Sequence, residues 1–182
     1  MKKKLPDAEE IIRLLGLQPL PDEGGWYVQS YVSGELYEKA SLPSRYSGNR
    51  PFGTVIYYLL TLEPDSFSAL HKLQTDEVWH FYFGDPAEIC LLAPDGGGKT
   101  EILGNDLLQG QKLQVCVPRG VWQGCRSIQG EAGGSADGSG ESAGYSLMGT
   151  TMAPGFHPDD FQLGRREELI SQYPAFKDLI AA

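Results

Sequence analysis

A mainly β fold, a sandwich or barrel with a short helix at each end, is what this sequence predicts, on three observations. Over residues 26 to 152 the chain consists of short apolar, β-branched and aromatic segments separated by Gly, Pro, Asn and Asp, the pattern of many short strands joined by turns. Ahead of them, Asp7 with Glu10 three residues later forms a capping box, and Ile11, Ile12, Leu14 and Leu15 follow at helical spacing until Gly16. Behind them, residues 167–173 read as a second helix, stopped by Pro174.

In chain order, residues 1–6, with Lys2, Lys3 and Lys4, read as a flexible basic tail and 7–16 as the first helix. The clearest strands are 53–62, 78–83, 87–92, 112–117 and 145–151. Residues 129–144, QGEAGGSADGSGESAG, are almost all small or acidic, cannot bury apolar surface, and read as a flexible loop between strands. Residues 164–182 form a C-terminal helical segment expected to pack on the exterior of the strands. A chain of 182 residues with no shift in composition is expected to be one domain, 1–182.

The formal net charge of −9 repels polyanions, and the one basic cluster lies at Lys2 to Lys4, so no nucleic-acid partner is expected. No apolar run approaches the roughly 20 residues that cross a bilayer, and the N-terminus lacks the apolar stretch of a secretory signal. No membrane partner is expected. Cys90, Cys116 and Cys125 are odd in number and widely spaced, which suits a reducing compartment. A cytoplasmic location is expected, with an organelle as the alternative.

The residue types that carry chemistry gather in HKLQTDEVWHFYFG, 71–84, and VPRGVWQ, 117–123. Together with EGGWY (23–27), RPFGTVIYYLL (50–60) and APGFHPDDFQLG (153–164), these blocks resemble the cupin_5 (DUF985) family, over roughly residues 8 to 173. The resemblance implies an RmlC-like jelly-roll cupin barrel, generally dimeric, around a small-molecule site. In cupins the first motif runs His-x-His, three or four residues, Glu, six residues, Gly, and the second Pro-x-Gly-x-x-His. This chain keeps His71, Glu77, Gly84, Pro118 and Gly120 but has Leu73 and Gln123 at two of the four ligand positions.

His71 and Glu77 are therefore the expected catalytic pair, His71 as general base and a neighbouring carboxylate, Glu77 or Asp76, holding its tautomer. Gln123 and Cys125 are expected on the inward face of a second strand, and Trp79, Phe81 and Phe83 on the Glu77 side. Adjacent Tyr57 and Tyr58 must face opposite ways; Tyr58 is the expected pocket residue, and Tyr57, Tyr58 or Tyr145 the expected acid. Arg50 is the expected anion contact. Glu23, with Gly24 and Gly25, is expected to form a tight turn, which the resemblance implies is part of the pocket rim. His80, three residues beyond Glu77, is expected to point away from the cavity, and Trp122 outward. Asp159, Asp160 and Phe161 are expected to cap the final helix. Cys125 reads as a small buried thiol, since no base is placed to hold its thiolate.

Three functions suit these residues. The first is an isomerase, epimerase or lyase acting on a sugar-like or other polar small molecule with a histidine base, without cofactor. The second is a non-catalytic ligand-binding or storage cupin. The third is a metal-dependent enzyme holding a divalent metal through His71, Glu77 and Gln123. The expected partners are a small-molecule ligand and a second copy of the chain.

Overall fold

Period-two alternation with apolar side chains to one face makes strands that must bury that face, and here two antiparallel sheets bury theirs against each other. The computed structural model describes residues 5–129 and 142–181. The expected basic tail falls largely, and the expected flexible loop mostly, outside the described residues. Helix α1 (Ala8–Leu15) precedes strands β1 (Gln18–Pro19), β2 (Trp26–Val32), β3 (Leu36–Tyr37), β4 (Arg50–Pro51), β5 (Thr54–Thr61), β6 (Phe67–Leu73) and β7 (Glu77–Gly84). Then come β8 (Ala87–Leu92), β9 (Gly98–Leu103), β10 (Gln114–Val117), β11 (Trp122–Ser127), β12 (Tyr145–Met152) and β13 (Phe161–Leu163). Helices α2 (Arg166–Gln172) and α3 (Lys177–Ala181) close the chain.

One sheet has the order β1-β2-β5-β12-β7-β10 and the other β13-β6-β11-β8-β9, with β3 and β4 forming a separate ribbon. This mainly β jelly roll agrees with the expected fold class. Strand β13 lies beyond residue 152, where the strands were expected to end. The inner faces meet in a core of Tyr58, Leu60, Trp79, Phe81 and Met148 from the first sheet and Ile89, Leu91, Leu103 and Cys125 from the second.

The outer faces are covered by the terminal helices. Asp7 caps α1 by accepting from the Glu10 N–H at 2.8 Å, and Gly16 ends it in the left-handed region, so Ile11 packs on Leu59, Tyr145 and Leu147. At the other end Leu169 of α2 and Tyr173 just beyond it, with Ile180, cover Cys90, Leu92 and Trp122 on the outside of the second sheet. Trp122 thus turns away from the core, as alternation requires, with the Lys72 ammonium 4.5 Å from its ring centroid. No helix among the described residues is long and apolar enough to cross a membrane.

Two bulges decide which side chains reach the interior. Along β6 and β11, Gln123 pairs with His71 but Cys125 pairs with Ser68, so two steps on β11 match three on β6. Between β12 and β7, Leu147 pairs with Phe83 and Met148 with Phe81. The second bulge turns Phe83 over to the α1 side, where it packs with Leu147 and Tyr145. The expectation that Phe83 shares the Glu77 face fails because a bulge shifts the period-two rule by one.

Candidate functional site: a buried histidine between two carboxylates

The extra residue in β6 organises the site. Ala69 sits in the bulge, where its N–H donates to the Glu23 carbonyl at 2.7 Å and its carbonyl accepts from His71 Nδ1 at 2.8 Å. Ser68 and His71, three residues apart, are thereby both brought to the Glu23 carboxylate. Ser68 Oγ donates to Glu23 Oε1 at 2.8 Å, and the same oxygen lies 3.7 Å from His71 Nδ1. On the opposite side of the ring, His71 Nε2 faces Glu77 Oε2 at 4.0 Å.

Glu23 reaches this point through its turn. Gly24 has φ +97° and Gly25 φ +69°, both in the left-handed region. A Cβ on Gly24 would run into the Phe67 carbonyl oxygen, and one on Gly25 would lie 2.8 Å from the Tyr58 hydroxyl. The turn was expected on conformational grounds; its second consequence is that a carboxylate touches the histidine.

Glu77 is buried and held by neutral groups. Gln123 Nε2 donates to Glu77 Oε2 at 2.6 Å, and Gln123 Oε1 accepts from Trp79 Nε1 at 2.8 Å. Burial pushes the Glu77 carboxyl above the usual carboxylate range; the nearby His71 and hydrogen bonds from Thr150 and Gln123 pull the other way without cancelling it. Tyr58 lies edge-on to Trp79, its hydroxyl donating to the Gly24 carbonyl at 2.8 Å, and burial holds its phenol well above the ordinary value.

His71, Glu77, Gln123, Trp79, Tyr58 and Glu23 are thus brought into one network. Other expected residues are not. Arg50 is buried, and its guanidinium is taken by both Asp160 carboxylate oxygens, at 2.6 and 2.7 Å, so it is not free to meet an anion. Phe81 and Cys125 fill the core between the sheets, where burial pushes the Cys125 thiol up and keeps it protonated. Of the expected acids, Tyr145 donates to the Pro6 carbonyl at 2.9 Å beside α1, and Tyr57 packs there against Tyr82. His80 points away from Glu77, pairing Nε2 with Thr151 and accepting from Gln114 at Nδ1, and burial lowers its pKa.

One site residue was assigned elsewhere. Phe161 was expected in a helix cap, with Asp159 and Asp160. Instead Asp160 pairs with Arg50, α2 starts at Arg166 without a side-chain cap, and the Phe161 ring stacks on His71 with centroids 5.2 Å apart. Only the pairing of Phe161 with Leu73 and Leu163 with His71 puts it there, and that pairing joins segments about 90 residues apart in the chain.

The donor set does not fit a divalent metal. Gln123 Oε1 is spent on Trp79 and Leu73 supplies no donor, which leaves only His71 Nε2 and the Glu77 carboxylate, short of the three good donors an ion needs. Among the described residues no three His, Cys, Asp or Glu side chains are grouped to hold an ion. Two cavities lie on the outer faces, about 400 Å³ beneath Leu169 and Ile180 and about 440 Å³ beside Ile11 and Tyr57; neither is lined by His71, Glu77 or Gln123.

Two facing antiparallel sheets with a histidine and a glutamate between them define a jelly roll of the cupin type. The chain belongs to the Cupin_5 family of the cupin superfamily (DUF985), whose model matches residues 9–164. Among solved structures it is similar to a hypothetical protein from Leishmania major, with 30% identity, a TM-score of 0.80 and 97% of each chain covered. It is also similar to a protein from Shewanella oneidensis, with 33% identity, a TM-score of 0.77, and 97% of this chain and 96% of that one covered. Among curated proteins none matches this sequence.

Proposed function

We propose that this cupin binds a polar small molecule, such as a sugar, and moves a proton on it, as an isomerase, epimerase or lyase. One observation carries the reading: the His71 ring is fixed in a single orientation. The Ala69 carbonyl can only accept, so Nδ1 donates, and Nε2 is the ring's basic nitrogen, directed towards Glu77. The 4.0 Å between Nε2 and Oε2 is too long for a hydrogen bond, so the two groups act as separate proton sites.

In this scheme His71 Nε2 takes the proton from carbon next to a carbonyl. The Glu77 carboxyl, whose hold on its proton burial strengthens, gives one to the developing oxyanion or to the opposite face. Release of the first proton from His71 to solvent and uptake of another from solvent by Glu77 restore both, which is why solvent deuterium would enter the substrate. Glu77 replaces tyrosine in the acid role, because the Tyr58 hydroxyl is committed to Gly24 and Tyr57 and Tyr145 pack beside α1.

His71→Ala tests the reading through incorporation of solvent deuterium into a panel of keto sugars. Exchange with one member by the native protein, falling by about 10²- to 10⁴-fold in the variant while binding of that sugar persists, is the expected result. Binding without exchange in the native protein would leave the second reading, a non-catalytic binding cupin in which the same groups only hydrogen-bond the ligand.

A second copy of the chain is the partner this reading includes. Strand β1 covers only Trp26 and Tyr27 of β2, so from Val28 to Val32 the outer edge of β2 has no partner strand among the described residues, and Tyr31 and Val32 are exposed. Light scattering is expected to give the mass of two chains and, for Tyr31→Lys with Val32→Lys, the mass of one. A native mass of one chain would refute the pairing.

A further inference from the structure

We propose that Phe161 is a positioning residue for His71, held against the imidazole by the buried Arg50–Asp160 pair. The inference rests on the reading of His71 as the proton-transfer residue.

The Phe161 and His71 rings are inclined by only 24°, so one face of the imidazole is covered by an aromatic plane. The strand that carries Phe161 is three residues long and exposed at Gln162 and Leu163, too short to hold a ring in place by its ladder alone. Its two ends are tied down separately. After it, the Gly164 N–H donates to the Leu70 carbonyl at 2.7 Å. Before it, the Asp160 carbonyl accepts from Gln74 N–H at 3.2 Å, and the Asp160 carboxylate takes the bidentate Arg50 fork.

Arg50 is in turn fixed by donating to the Asn49 carbonyl and to Ser47 Oγ, with its guanidinium 5.4 Å from the centroid of the Tyr46 ring. A bidentate pair constrains both position and angle, unlike a single contact. Because Asp160 and Phe161 are adjacent, the fork sets where the aromatic ring begins. Ala69 fixes the imidazole by one edge; Phe161 limits the tilt that this single hydrogen bond leaves open and keeps water from that face.

Diethyl pyrocarbonate acylates unprotonated imidazole nitrogen, and mass spectrometry reads its rate separately at His71, His80 and His157. Phe161→Ala is expected to speed acylation of His71 by about tenfold through loss of local protection, with Phe161→Tyr within about twofold of the native protein and His80 unchanged in both. Arg50→Lys, which breaks the fork but keeps the charge, is expected to shift His71 the same way by a smaller factor; Asp160→Asn takes its place if that variant does not fold. A native-like His71 rate in Phe161→Ala, or a parallel rise at His80, overturns the role of Phe161. A native-like rate in the fork variant overturns the role of the pair. The label reports the ring rather than turnover, so this outcome and the deuterium-exchange outcome for His71→Ala are independent.

Discussion

Arg50→Ala is expected to cost about 3–5 kcal/mol of stability, because it strands the Asp160 carboxylate inside the protein. Both side chains are 1% exposed, and the two hydrogen bonds of 2.6 and 2.7 Å are what offset the loss of water around the charges. For a chain of this length that corresponds to a fall in Tm of about 10 °C. Asp160→Ala is expected to behave alike, since either change leaves one ion alone. The double change Arg50→Met with Asp160→Leu is expected to recover most of the loss, because it removes the desolvation cost along with the attraction. A loss of no more than about 1 kcal/mol in the single variants, the value typical of exposed pairs, would show that water reaches the pair.

Glu77→Gln is expected to raise stability at neutral pH and to abolish proton transfer. Burial raises the folded pKa of Glu77 above its unfolded value. The folded state therefore binds more protons than the unfolded one in the interval between the two values. Its stability is greatest below the unfolded value of about 4.3 and falls as pH rises through the folded one. A glutamine oxygen can still accept from Gln123 Nε2 but cannot ionise, so that fall disappears. At pH 7 the variant is expected to be more stable on the order of 1 kcal/mol, because glutamine removes the proton linkage that a raised folded pKa imposes. At pH 4 the two proteins should differ little. Deuterium exchange is expected to drop by about 10²- to 10⁴-fold, the usual worth of a positioned acid or base. A variant less stable than the native protein at pH 7 would mean that attraction to His71 outweighs the cost of burying the charge.

The opposed outcomes at Arg50 and Glu77 have one cause. The Arg50 and Asp160 charges are matched by a fork of donors and acceptors, whereas Glu77 has only neutral hydrogen-bond partners and a histidine 4.0 Å away. A matched pair suits a scaffold. An unmatched carboxyl whose pKa burial raises suits proton transfer, at the expense of stability.

The residues in sequence were enough for the class of fold and for half of the site. Asp7, Glu10 and Gly16 mark a helix because capping is local, and the strands from 54 to 61, 77 to 84, 87 to 92 and 145 to 152 show in alternation and turn residues. His71, Glu77 and Gln123 stand out because they fall at ligand positions of the cupin motifs that the sequence resembles, and that resemblance agrees with the family the chain belongs to. What tertiary structure alone decided is which groups are spent and which are free. Arg50 looked available until Asp160, 110 residues away, took its guanidinium. Phe83 left the Glu77 face, and Ser68 came to Glu23 beside His71, because each bulge shifts the period-two rule by one, and a bulge is a property of two strands together. Phe161 reached His71 only through a pairing with β6 that no local signal in its own segment encodes. Local propensity and spacing determine elements and candidate residues; the partner of each polar group is set by contacts distant in the chain, and these partners decide whether a side chain builds the site or only supports it.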